Sequence, residues 1–157
     1  MNNIRHVCYN LVLSLWVGGI TIFTFLVTPA IFNSFERDMA GKIVEKLFPG
    51  YFAYILALSV LAFILLLIMC SQFTISSFKL SMALVIIGVI INLFVAFWLH
   101  PEIRKVKQEI HSIKTLADDS ALRQIFGRFH AVSASLNLLV LADGITLLVI
   151  STGSKKQ

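Results

Sequence analysis

FGRFHAVSASLN, residues 126–137, decides how this chain is built. A charged stretch ends at Arg128, and an apolar run long enough to cross a bilayer follows, carrying His130, Ser133 and Asn137 into it. Hydrocarbon offers no hydrogen-bond partner, so polar side chains inside a span turn toward other helices, which must satisfy them. The segment therefore predicts a helix that belongs to a bundle.

Working outward, the bundle can be counted. A spanning helix needs about 20 mostly apolar residues at about 1.5 Å rise each. Four stretches qualify, at about residues 7–28, 49–70, 79–99 and 129–150. Of the 157 residues, 58% are hydrophobic and 13% charged. A water-soluble domain carries about 45–50% and about 25%, so lipid is the main solvent expected for this chain. The spans leave no room for a second domain, and residues 1–157 read as one four-span unit. The expected fold is all-α: an integral membrane four-helix bundle.

The first span has a basic residue, Arg5, ahead of it, as a signal peptide does. Its apolar run of about 20 residues exceeds the h-region of a signal peptide and lacks an A-x-A site after it, so a retained span is expected. At about 100° per residue, His6, Asn10, Ser14, Gly18, Thr21, Thr24 and Thr28 fall within an arc of roughly 120°, opposite Tyr9, Leu13, Trp16, Ile20, Phe23 and Val27. Small residues let membrane helices approach closely, so the first set is the expected packing face. Span two is apolar all round. Span three puts Ser81, Gly88, Asn92 and Ala96 on one face, and span four puts His130, Ser133, Asn137 and Gly144 on one face. Asp143 lies about 140° from His130, on a different surface of the same helix.

Two connectors are long. Residues 29–48 alternate apolar and charged side chains at helical spacing, which predicts amphipathic turns on the membrane surface, ended by Pro49-Gly50. Residues 101–128 show an apolar seam at Ile103, Val106, Ile110, Ile113 and Ala117, then Asp118-Asp119-Ser120 with helix-capping chemistry. They predict a helical hairpin between spans three and four. Basic residues mark the cytoplasmic side of a membrane protein. The long connectors hold nine: Arg37, Lys42, Lys46, Arg104, Lys105, Lys107, Lys114, Arg123 and Arg128. The other side holds four: Arg5, Lys79, Lys155 and Lys156. The hairpin is thus expected in the cytoplasm and both termini outside, in a bacterial inner membrane. The net charge of +5 reflects this placement. No basic stripe with interleaved aromatics points to nucleic acid.

Candidate chemistry is sparse. The expected polar interior comprises Ser14, Asn92, Arg128, His130, Ser133, Asn137 and Asp143. A carboxylate in mid-span costs about 2.5–3.5 kcal/mol on insertion scales, so Asp143 should face other helices, linking spans one, three and four. A structural hydrogen-bonding role and a proton or cation site both fit it. His100 and His130, at similar height on facing helices, offer a haem b or copper site, with ordinary interfacial histidines as the other reading. Cys8 and Cys70 form no CxxC pair and read as small apolar side chains. Nucleophile elbow, zinc-protease, P-loop and dinucleotide motifs are absent from the sequence, and no catalytic residue is assigned.

LWVGG (15–19), TPAIF (28–32), KLFPGYF (46–52), WLHP (98–101) and SALRQIFGRFHAVSASLNL (120–138) resemble the transmembrane protein 205 group and related bacterial four-span proteins with a domain of unknown function. The likeness covers most of the chain in order. It implies a four-helix membrane domain and singles out Lys46, Phe48, Pro49, Tyr51, Phe52, Arg123, Arg128, His130, Ser133 and Asn137, without implying an activity. It departs at His100, where a relative has an acidic residue, so a His100–His130 haem pair is not implied for the family. A fainter likeness to the copper-resistance D membrane family rests on Trp16-x-Gly18.

The expected function is non-enzymatic: handling of a small solute or ion, or support of a membrane complex. The alternatives are a haem- or copper-binding electron-transfer protein and a purely structural subunit. The expected partners are the lipid bilayer and other copies or subunits.

Overall fold

A computed structural model describes residues 2–112 and 119–153, and all their regular structure is helical. Four helical stretches are long and apolar enough to cross a membrane: Asn3–Ser34, Met39–Ile68, Ile75–Val106 and Gly127–Gly153. The chain is an integral membrane protein built as an up-down four-helix bundle. The first stretch joins α1 (Asn2–Ile22), a π turn (Phe23–Val27) and α2 (Thr28–Ser34). The second is α3 (Arg37–Ile68). The third joins α4 (Ile75–Phe94), a second π turn (Val95–Leu99) and α5 (His100–Ser112), and the fourth is α6 (Asp119–Gly153).

The spans overrun their expected limits, and the surface segment expected over 29–48 does not exist separately. Its first part continues span one and its remainder is the start of α3, so only Phe35 and Glu36 turn the chain. Proline normally stops a helix because its ring meets the carbonyl four residues back. Ahead of Pro29 the helix has already widened, with the Thr28 N–H donating to the Phe23 carbonyl five residues back. The His100 N–H donates likewise to the Val95 carbonyl, just before Pro101. Both prolines are thereby carried without ending the rod. Pro49 sits inside α3, and that helix passes through it.

At 1.5 Å per residue, the 32 residues of α3 are about 48 Å long, against about 30 Å of hydrocarbon. The charged first turns of α3, with Lys42, Glu45 and Lys46, thus form a helical extension at the membrane edge. There Arg104 of α5 pairs with Glu45 at 3.0 Å. The α5 and α6 helices form the expected hairpin, whose turn at 113–118 lies outside the described residues.

The spans form a ring in which α1 touches α3 and α6, and α4 touches α3 and α6. The core between them is made by Tyr9, Leu13, Trp16 and Ile20 of α1, Ile55, Ala62 and Leu66 of α3, Val85 of α4, and Val140 and Leu147 of α6. Most of the packing face of α1 is therefore the side opposite the expected stripe, although Asn10 and Thr24 of that stripe bond Ser151 and Asn137 of α6. Ser14 and Thr21 are exposed, and a Cβ added at Gly18 would meet nothing within 4 Å. Large side chains make many more dispersion contacts than a small-residue stripe, and a helix with two ring neighbours needs a wide buried arc. Close approach occurs instead at Gly19, where a Cβ would stand 2.5 Å from the Tyr54 ring. The Tyr54 hydroxyl donates to the Leu15 carbonyl at 3.0 Å.

Candidate functional site

A cavity of about 230 Å³ opens within the half of the bundle that carries the connector between α2 and α3 and the α5–α6 hairpin. Each span contributes to its wall. Span one supplies Phe23, Thr24 and Thr28, span two Phe48, Tyr51 and Phe52, span three Asn92 and Val95, and span four His130, Ser133, Ala134 and Asn137. The chain's three prolines, Pro29, Pro49 and Pro101, all lie at this level. Two of them follow π turns whose residues Phe23, Thr24 and Val95 face the space. Backbone that departs from regular α geometry thus surrounds one cavity, a placement common for π turns at functional sites.

Local sequence explains the aromatic wall. In KLFPGYF, residues 48, 51 and 52 recur at three and four positions and share one face of α3. Tyr51 stacks on Phe23 of span one at 4.2 Å with rings 17° apart, and Phe48 stacks on Phe52 at 5.3 Å. The opposite wall is polar. Asn137 accepts a hydrogen bond from the Tyr51 hydroxyl at 2.6 Å, and its amide N–H donates to Thr24 Oγ1 at 2.7 Å. One side chain of span four thereby ties spans one and two, which answers the partner question posed by residues 126–137. Ser133 stands one turn away and half-buried, and His130 is exposed at the cavity's edge.

The remaining expected residues divide. Asn92 is buried, its side chain reaching the cavity wall. His100 is buried too, but its ring lies edge-on against Phe48 at 5.0 Å and Phe52 at 5.4 Å, and it does not line the cavity with His130. Arg128 is exposed outside the cavity wall, and Ser14 lies on the outer surface of the bundle. Among the described residues no three His, Cys, Asp or Glu are grouped to hold a metal ion. Cys8 and Cys70 are exposed and free. Asp143 sits deeper, in contact with spans one and three: a Cβ added at Gly88 would stand 2.8 Å from Asp143 Oδ2 and 2.9 Å from the Trp16 ring.

Phe23 and Trp16 were not legible as site residues. Both fall on the face of span one opposite the polar stripe, and the π turn that aims Phe23 at the cavity leaves no mark in apolar spacing. The signal that could have found them is aromatic: large rings at 9, 16 and 23 recur every seven residues.

Fold and site together define a class: a small four-span membrane protein with an aromatic, hydrogen-bonding cavity in one half of the bundle. The chain belongs to the family described as "Domain of unknown function (DUF4149)", whose model matches residues 11–112. That match takes in spans one to three and α5; the polar residues of span four lie beyond it. A protein of Aquifex aeolicus (strain VF5), described as "Uncharacterized protein", is 29% identical over 129 residues, 82% of this chain and 83% of that one. No solved structure matches.

Proposed function

We propose that this chain is a non-enzymatic membrane protein that holds a small, mostly apolar solute in the aromatic cavity, oriented by one or two hydrogen bonds. The cavity itself carries the reading. A dry cavity of about 150 Å³ admits benzene, so about 230 Å³ suits a single ring with a substituent. Phe23, Phe48, Tyr51 and Phe52 offer the ring faces, and Ser133 and the Asn137 amide offer polar groups on the other wall, the mixture that small-molecule sites use. A haem or copper between His100 and His130 has no such support, since the two rings do not share the cavity.

The probe that tests it is 4-fluorophenol, followed by fluorine NMR on the detergent-solubilised protein. Saturable broadening of its line by the wild type, lost when Ala134→Trp fills the cavity, is the expected result. A spectrum equal to that in empty micelles would remove the reading.

The bias of nine basic residues to four supports connectors in the cytoplasm and both termini outside, in a bacterial inner membrane. Kinship with the transmembrane protein 205 group is supported by the KLFPGYF and FGRFHAVSASLN segments, whose residues Phe48, Tyr51, Phe52, His130, Ser133 and Asn137 meet at one cavity. We infer a homo-oligomer or a larger complex as the working assembly in the bilayer; native mass measurement in mild detergent decides it.

A further inference from the structure

Between residues 6–34, 47–78, 80–101 and 129–154 the sequence holds one Asp, Glu, Lys or Arg, Asp143. It is 8% exposed, and among the described residues neither carboxyl oxygen has a hydrogen-bond partner. Gly88 makes room for it, because any side chain there would strike the carboxyl group or Trp16. Other interior polar atoms share this condition: Trp16 Nε1, Tyr9 Oη, Ser81 Oγ and Asn92 Nδ2, on residues no more than 8% exposed.

Their positions are ordered. Tyr9 lies two turns below Trp16 on α1, and Ser81 two turns below Gly88 on α4, while Asn92 lies one turn above Gly88 at the cavity wall. At 1.5 Å per residue, the stretch from Ser81 to Asn92 rises about 16 Å, with Asp143 between. Unsatisfied buried groups are rare and call for a reason, and an ionisable one inside a membrane marks a proton or ion path. The unpartnered polar atoms at this level include two N–H donors, the Trp16 indole and the Asn92 amide, of a kind that suits a carboxylate or a proton relay. Trp16 on α1 and Gly88 on α4 stand beside Asp143, and Tyr9 on α1 is the other ionisable side chain near it.

We propose that Asp143 is a membrane-embedded proton-binding site that passes protons between the cavity, through Asn92, and the Tyr9–Ser81 end of the bundle. A proton arriving from either end binds a carboxylate oxygen to give the neutral acid. Its release toward the other end restores the carboxylate. The path opens into the aromatic cavity at Asn92 and does not require that a solute be bound there.

The test uses the full chain in phosphatidylcholine–phosphatidylglycerol vesicles with a trapped pH-sensitive dye and an imposed pH gradient. Wild-type vesicles are expected to dissipate the gradient faster than protein-free ones, Asp143→Asn to return it to the protein-free rate, and Asn92→Leu to slow it. No gain over protein-free vesicles, or equal rates for wild type and Asp143→Asn, would overturn the proposal. Should Asp143→Asn not fold, infrared spectroscopy of wild type with carboxyl-labelled aspartate serves instead. A label-shifted, protonated carboxyl band that comes and goes with pH and does not saturate with the exposed carboxylates supports it, and no such band refutes it.

Discussion

Asn137 ties three spans with one amide, and its loss can be given a size. Interhelical hydrogen bonds in membranes average about 0.6 kcal/mol, up to about 1.7. Asn137→Leu, which removes the bonds to Tyr51 and Thr24, should therefore cost about 1–2 kcal/mol in a reversible detergent-unfolding assay, and Tyr51→Phe about half of that. The glycines give an opposed pair. Gly18→Ala should be neutral or raise stability by up to about 1 kcal/mol, since alanine favours a helix and nothing stands in its way. Gly88→Ala should lower it by about 1–3 kcal/mol by overpacking Asp143 and Trp16. At this scale the sequence was legible for side chains whose chemistry is costly in lipid. Asn92, Asn137 and Asp143 had to be internal, and they are in contact with other helices. Ser14 was misread because a hydroxyl can bond its own helix carbonyls and so tolerates lipid, as Thr21 does with the Val17 carbonyl at 2.8 Å.

Among the elements, the rods with proline near the cavity carry the next expectation. Pro49 withholds one N–H from α3 and sits between Phe48 and the Tyr51–Phe52 pair that build the aromatic wall. Pro49→Ala should leave thermal stability equal or higher, since an interior proline costs about 3 kcal/mol of helix propensity, while weakening retention of 4-fluorophenol as the rings rotate. Stability unchanged with probe binding also unchanged would mean that Pro49 has no part in shaping the wall. Helix existence was readable from run length alone, and the four spans stand where apolar composition put them. Helix ends were not. Proline and charge read as stops at Pro29 and Pro49, yet a π turn absorbs the first and α3 runs through the second.

For the whole molecule, the ring of spans and the charged extension at one end set how it sits in a bilayer. Reporters fused to either terminus should be active only outside the cytoplasm, if the basic residues of α3, α5 and the start of α6 face inward. The link between Arg104 and Glu45 is exposed, so Arg104→Gln should cost less than about 1 kcal/mol, and less again in high salt. Its measurable consequence is on how α5 leans on α3, by cross-linking, more than on unfolding.

The four spans differ in how willingly they would enter lipid alone. Mean hydropathy is 2.1, 2.7, 2.7 and 1.9 along the chain, and the lowest belongs to the span with Ser133, Asn137 and Asp143. This span follows the other three in the chain, and Thr24, Tyr51, Trp16 and Gly88 all precede it. The first three spans thus hold the partners of the fourth span's polar side chains. A ribosome-bound chain lacking span one should insert its fourth span less efficiently than the full chain does, and Asn137→Leu with Asp143→Leu should restore that insertion, read by glycosylation mapping.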